Sequence, residues 1–152
     1  MAAQEHVALT RSLLDLYNNR QADPAWLDKC MATFAADFEI IDGPSGTTFH
    51  GTGGYKRLRR FFIENFPDSR EELTDVFATE DRVVLESTWR WTNTGPLSLP
   101  SGALPATGHA GGVPMCHVFL FRHGKIVSLH CYYDLTTLLE YFGLAPATRQ
   151  AT

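Results

Sequence analysis

The sequence predicts one α+β domain in which a bent antiparallel sheet wraps around helices and encloses an internal apolar pocket. Three observations predict it. From Gln4 to Asn65 the apolar residues recur mostly at helical spacing, whereas beyond Pro67 they adopt the alternation of strands. The last strands form a hairpin with rings and proton-transferring side chains on one face. A chain of 152 residues can bury one sizeable core and sits in the one-domain range. Residues 1–152 are therefore taken as a single unit, with segments 1–4 and 146–152 expected to be flexible.

Val7, Leu9, Leu13, Leu14, Leu16 and Tyr17 give an amphipathic first helix between Gln4 and Asn19. Asp23-Pro24 has the cap and first-turn chemistry of a second, which buries Trp26, Leu27, Cys30, Met31 and Phe34 and ends near Ala36. Phe38–Asp42 is a short strand entering a turn-rich stretch, with Phe49-His50-Gly51 leading into another loop. Tyr55, Leu58, Phe61, Phe62 and Phe66 repeat at helical spacing, and that helix stops at about Asn65 before Pro67. Glu72–Thr79 and Arg82–Asn93 read as a long hairpin. Residues 94–112 contain three prolines and five glycines, so an irregular excursion is expected there, in the manner of a lid. Met115–Arg122, the turn His123-Gly124 and Lys125–Tyr133 make a second hairpin. Leu135–Phe142 is a terminal helix stopped by Gly143.

Composition excludes several functions. Net charge is -4 and basic clusters are mixed with acids, so nucleic acid is not an expected partner. The start MAAQEHVALTR carries no secretory leader, and no membrane span is visible. Cys30, Cys116 and Cys131 fit neither a disulfide framework nor a zinc pattern, which suggests a reducing cytoplasm. The six histidines form no HxxxH or HxH pair, and neither a metal nor a cofactor is expected.

A two-residue turn at His123-Gly124 sets Phe121 opposite Ile126, Phe119 opposite Ser128 and His117 opposite His130. One face then carries Met115, His117, Phe119, Phe121, Ile126, Ser128, His130, Tyr132 and, continuing the alternation, Asp134. The other carries Cys116, Val118, Leu120, Val127, Leu129 and Cys131, an aliphatic outer surface that predicts a homodimer. A carboxylate among rings has its charged form disfavoured, so Asp134 is expected to have a raised pKa. With His117 or His130 beside it and His109 in the preceding loop, Asp134 suits general acid/base work on a carbonyl-activated C–H bond.

The residues Glu86-Ser-Thr-Trp-Arg-Trp-Thr-Asn-Thr-Gly-Pro-Leu97, Pro105-Ala-Thr-Gly108, Phe121-Arg-His-Gly-Lys-Ile-Val127, Tyr132-Tyr133-Asp134 and Leu138-Leu139-Glu140-Tyr141-Phe142-Gly143-Leu144 carry a resemblance over nearly the whole chain. They resemble the SnoaL-like polyketide cyclase branch of the nuclear transport factor 2-like (NTF2-like) superfamily. The resemblance implies an α+β cone with a pocket between sheet and helices, and cofactor-free ring closure by intramolecular aldol condensation. It also implies an Asp near the end of the sheet, a position that Asp134 matches. Two departures stand out. Where the family often has Trp four residues before that Asp and Gln-Leu-Gly in the terminal helix, this chain has His130 and Tyr141-Phe142-Gly143.

Several residues carry a plainer reading as well. Asp134 immediately precedes a helix and would cap it by accepting from Thr136 or Thr137. His117 and His130 could be a cross-strand polar pair, and His123 and His6 are expected to be exposed. Tyr17, Trp89, Phe119 and Tyr132 are expected to line the pocket, although aromatic residues at such spacings also build ordinary cores. Glu86 is either a second pocket carboxylate paired with Arg90 or part of a solvated strand face. The leading expectation is an enzyme acting on a small apolar or polycyclic carbonyl compound. A ketosteroid-isomerase-like isomerase, an epoxide hydrolase and a non-catalytic binding or dimerisation module are the alternatives.

Overall fold

A computed structural model describes residues 2–92, 96–99 and 102–142. In chain order they form α1 (Ala2–Asn18), α2 (Trp26–Met31), β1 (Phe34–Asp42), β2 (Thr47–His50), α3 (Gly51–Asn65), β3 (Arg70–Ala78) and β4 (Arg82–Thr92). There follow β5 (Leu97–Leu99), β6 (Gly102–Leu104), β7 (Ala110–Arg122), β8 (Lys125–Tyr133) and α4 (Leu135–Tyr141). Six strands make one sheet in the order β2-β1-β8-β7-β4-β3, while β5 and β6 pair separately. All pairs are antiparallel except β1 with β8, which are parallel.

The strand pairs do not run in uninterrupted register. Irregularities between Phe34 and Glu39, between Leu73 and Asp75, and between Leu120 and Phe121 mark bulges, which bend and coil a sheet. Its concave face packs on the helices. Phe38, Ile40, Val83, Leu85, Phe119, Ile126 and Leu129 point inward to meet Tyr55 of α3 and Cys30 of α2. A second cluster gathers Tyr17, Phe66, Trp89, Trp91 and Val113, where the rings of Phe66 and Trp89 meet edge to face at 5.0 Å.

Several boundaries differ from expectation for identifiable reasons. The second helix stops at Met31 because Phe34 already pairs with Ile126, and the Ile126 amide donates to the Thr33 carbonyl at 3.0 Å. Sheet pairing there overrides a helical pattern. Residues 47–50, read from sequence as loop, are strand β2, zipped onto Asp42–Glu39. Strand β7 begins at Ala110 rather than Met115, through two glycines and a proline. A Cβ at Gly111 would come within 2.6 Å of the Trp91 indole, so the glycine is what lets the strand run beneath that ring. The expected lid region thus contributes β5, β6 and the start of β7. Helix α1 starts at Ala2, so residues 2–4 are helical, while Gly143 and segment 146–152 lie outside the described residues. His6 is buried rather than exposed: it stacks on Phe121 at 4.0 Å and bonds through Nδ1 to the Glu80 carbonyl oxygen.

No helix of the described residues is long and apolar enough to cross a membrane.

Candidate functional site

The sheet and helices enclose a narrow cavity with about 70 Å³ of room for the centres of water molecules. Most of its wall is apolar, including Leu13 and Leu14 of α1, Leu58 and Phe62 of α3, Leu85 of β4, Phe119 of β7 and Leu129 of β8. Into this wall project His117, Glu71, Arg59, Tyr17 and Tyr55, a compact polar group in an otherwise greasy site.

His117 and Glu71 are bonded directly, Nε2 to Oε1, at 2.5 Å, and the same Oε1 accepts from Ser87 Oγ at 2.5 Å. The other imidazole nitrogen meets Cys131 Sγ at 3.4 Å. Local structure sets this geometry. Strand pairing places Glu71 opposite Trp89 and Leu85 opposite His117, so both polar residues share the inward face. The Glu71 backbone is clamped as well: its N–H donates to Asn18 Oδ1 at 2.8 Å, and Asn18 Nδ2 donates to its carbonyl at 2.7 Å. The end of α1 thereby fixes the height of the carboxylate.

Burial disfavours both charges, yet each stabilises the other. The Glu71 carboxylate, with the Cys131 sulfur beside the ring, raises the His117 pKa well above 6.5 despite desolvation. Desolvation pushes Glu71 up, but the imidazolium, the Ser87 hydroxyl and Arg59 outweigh it and hold the carboxyl at about 2. The pairing therefore favours imidazolium and carboxylate together. Oε2 of Glu71 accepts no hydrogen bond from the described residues, among which no side-chain nitrogen or oxygen is fully enclosed without a partner. Because Glu71 lines the cavity, that oxygen is the one left with acceptor capacity for a ligand.

Tyr17 supports the other side of the site. Its hydroxyl accepts from Trp89 Nε1 at 3.3 Å and bonds to Ser69 Oγ, and Arg20 packs over its ring at 4.3 Å. Arg59 lies 4.9 Å from the Tyr17 ring centre and 5.1 Å from that of Tyr55, and its Nε donates to the Tyr55 hydroxyl at 3.0 Å. Burial raises the Tyr55 phenol to about 12, so it stays neutral.

Four of the expected residues, His117, Phe119, Tyr17 and Trp89, line this cavity. The others are placed elsewhere. The expected register of the last hairpin fails at one residue: Phe121 faces Ile126 as read, but Leu120 faces Ser128, leaving Val127 as an extra residue in β8. From there His117 opposes Cys131, and His130 opposes Val118 on the outer face. The shift buries Leu129 and Cys131 where Ser128 and His130 would have gone, which keeps two polar side chains out of the core. His130 bonds to the Tyr132 hydroxyl at 3.3 Å, outside the cavity.

Tyr132 is 47% exposed and packs over Gly43, whose Cβ, if it had one, would come within 2.5 Å of the ring. Asp134 is exposed and caps α4, accepting from the Thr136 N–H at 3.0 Å, the Thr137 N–H at 3.3 Å and the Thr137 hydroxyl at 2.8 Å. The Thr137 hydroxyl and the Thr137 and Thr136 amides lower its pKa, opposite to the expected rise. His109 is exposed before β7. Glu86 points outward into a shallow depression shared with Tyr132, and Arg90 pairs with Glu72, at 2.9 Å, rather than with Glu86. With Leu129 and Cys131 turned inward, the outer face of this hairpin keeps Cys116, Val118 and Leu120 but adds Ser128, His130 and Tyr132. It is less aliphatic than expected.

Sequence reading missed Glu71 by one residue, having begun its strand at Glu72, and missed Arg59 altogether. A signal existed for both. Glu71 alternates in step with Val76 only if a bulge is allowed at Thr74, and Arg59 follows Tyr55 by four residues on the apolar side of α3.

Solved structures with this fold are numerous. A candidate SnoaL-like polyketide cyclase from Jannaschia sp. CCS1 superposes with a TM-score of 0.80 at 19% identity, covering 95% of this chain and 96% of its own. AclR, a candidate hydroxylase from Streptomyces galilaeus, gives 0.76 at 20% identity over 99% of this chain and 91% of its own. A protein of ketosteroid isomerase-like fold from Catenulispora acidiphila DSM 44928, solved with trimethylamine, gives 0.65 at 20% identity over 91% and 97%. At such identities the likeness shows the NTF2-like, ketosteroid isomerase-like fold and nothing finer. No curated protein sequence matches the chain. The sequence pattern of the SnoaL-like domain matches residues 11–129, which run from the second half of α1 into β8 and include Tyr17, Tyr55, Arg59, Glu71 and His117. By that match, the chain belongs to the SnoaL-like domain family.

Proposed function

We propose that the protein is a cofactor-independent enzyme that moves protons on a small carbonyl compound, and that Glu71 and His117, rather than Asp134 and His130, carry the chemistry. The single observation supporting this reading is a buried carboxylate–imidazolium pair in the wall of an apolar cavity, with one carboxylate oxygen left unbonded. In the proposed step Glu71 Oε2 takes a proton from the carbon next to the substrate carbonyl, and the C–H electron pair moves into the carbonyl to give an enolate. A carboxyl held at about 2 is a weak base, so the reading assigns His117 two tasks: it keeps Glu71 ionised and oriented, and its positive charge lowers the energy of the developing enolate to offset that weakness. Return of the proton to another atom would complete an isomerisation; attack of the enolate carbon on a second carbonyl, with the proton on Glu71 passing to the new alkoxide, would complete an aldol closure. The cavity volume favours a small substrate over a polycyclic one.

Exchange of α-protons for deuterium in D2O, followed by NMR on 4-methyl-2-pentanone and 4-methyl-2-oxopentanoate, tests the step. The wild type should exchange faster than buffer, and Glu71→Gln should slow the reaction by roughly 10²- to 10⁴-fold while remaining folded. Equal exchange by the two proteins would remove Glu71 from the mechanism and favour the binding-module alternative.

A further inference from the structure

Two arginines sit against the same ring, that of Tyr17, and they are bonded very differently. Arg20 is saturated by the protein: its terminal nitrogens donate to the carbonyls of Tyr17, Ser69 and Pro67 and to Ser69 Oγ. Arg59 makes one hydrogen bond, from Nε to Tyr55, and among the described residues its two terminal nitrogens have no acceptor and no carboxylate within ion-pair distance. Arg59 nevertheless lines the cavity, with its guanidinium held against two tyrosine rings.

The charges facing the cavity do not cancel. Glu71 and His117 neutralise each other, and Thr10, Tyr17, Tyr55 and Cys131, the remaining polar groups of the wall, carry no charge of their own. One positive charge is left over, that of Arg59. Burial disfavours this charge, but the Tyr55 hydroxyl that accepts from Nε and the Glu71 carboxylate favour the protonated guanidinium. An uncompensated cation in an apolar wall gains most from an anion that brings its own apolar body. The paired terminal nitrogens of a guanidinium match the two oxygens of a carboxylate.

We infer that the cavity binds small monocarboxylates, with the Arg59 fork holding the carboxylate and the apolar wall holding the rest. This inference names the substrate class of the site proposed above, and it rests on that cavity being the site. If it holds, the carbonyl compound handled by Glu71 is an oxo acid rather than a neutral ketone. Arg59 would then fix which carbon lies against Oε2.

Binding, not turnover, tests the inference. The full chain is titrated calorimetrically with acetate, benzoate and 4-methyl-2-oxopentanoate, with 4-methyl-2-pentanone as the same skeleton lacking the carboxylate, and with inorganic phosphate. At least one carboxylate should bind, and 4-methyl-2-oxopentanoate should bind at least 10-fold more tightly than the ketone and than phosphate. Arg59→Gln should weaken carboxylate binding by about 10- to 100-fold, the range for losing hydrogen bonds to a charged group. Arg59→Lys should retain part of the affinity because it keeps the charge without the fork, and it serves as the second variant if Arg59→Gln fails to fold. Equal affinity for the oxo acid and the ketone, phosphate binding as tight as carboxylate, no binding of any carboxylate at 10 mM, or full affinity in both variants would overturn the inference. Arg59-dependent binding without any deuterium exchange would leave it standing while removing the acid/base reading.

Discussion

His117 and His130 stand on neighbouring strands of one hairpin, and a single unpaired residue gives them opposite environments. His117 faces the core, takes a carboxylate partner and is 8% exposed. His130 faces outward, and its side chain bonds to the Tyr132 hydroxyl. Both are histidines within two residues of a buried apolar side chain, Phe119 for one and Leu129 for the other, so residue type and neighbourhood do not separate them. Register does. A strand has a period of two, and the bulge at Val127 moves every later residue of β8 to the other face. The expected cluster of His117, His130 and Asp134 is thereby split, and the partner of His117 comes from β3, two strands away in the sheet.

The sharpest way to break the comparison is to remove the partner. Glu71→Ala leaves a buried imidazole without its acceptor and opens a gap, and should cost about 3–5 kcal/mol of stability in chemical denaturation. Glu71→Gln should cost less, since the amide oxygen can still accept from Ser87 and His117. If Glu71→Ala is as stable as the wild type, the buried pair is not what holds this end of β3 against β7.

The same pair predicts a pH dependence with a defined sign. Glu71 is depressed to about 2 from an ordinary 4.5, so its stabilisation is present above 4.5 and is lost as the pH falls toward 2. His117 is raised from 6.5, so its stabilisation is complete below 6.5 and is lost as the pH rises through its folded value. The stability difference between wild type and Glu71→Gln should therefore be largest between pH 4.5 and 6.5. Above that window it should shrink by up to about 1.4 kcal/mol per pH unit. A difference that grows on the alkaline side would mean that His117 is not the protonated partner.

The sequence makes some of this legible and hides the rest for physical reasons. The helices α1 and α3 and the turn at His123-Gly124 follow from periodicity and from backbone angles that those residues tolerate, with φ of 50° and 73° in the turn. Tyr17, Trp89, Phe119 and His117 were legible as cavity residues because each belongs to a long, regular alternation or helical stripe. Bulges are not legible in that way. One unpaired residue leaves composition untouched while reversing the faces, which is why His130 and Tyr132 were misplaced and Glu71 was missed. Arg59 escaped for another reason. A cation on an exposed-looking stretch, Lys56-Arg57-Leu58-Arg59-Arg60, is distinguished from its neighbours only by what lies across from it.

Asp134 offers the smaller test, because the sequence supports two roles and the structure displays one of them. Its carboxylate caps α4 through Thr136 and Thr137 at the surface. A cap needs an acceptor, not a charge, so Asp134→Asn should melt within about 1 °C of the wild type, whereas Asp134→Ala should melt roughly 2–4 °C lower. Neither should slow deuterium exchange more than about twofold, since Asp134 does not line the cavity that Glu71 lines. His130→Ala should change still less, within about 0.5 kcal/mol, as a half-exposed side chain with one long hydrogen bond. The informative outcome is the contrast between the two properties. If Asp134→Asn keeps its stability but loses exchange, the carboxylate acts on the substrate from the strand end, the division between the two faces is not the division between function and support, and Glu71 would have to share the proton transfer with it.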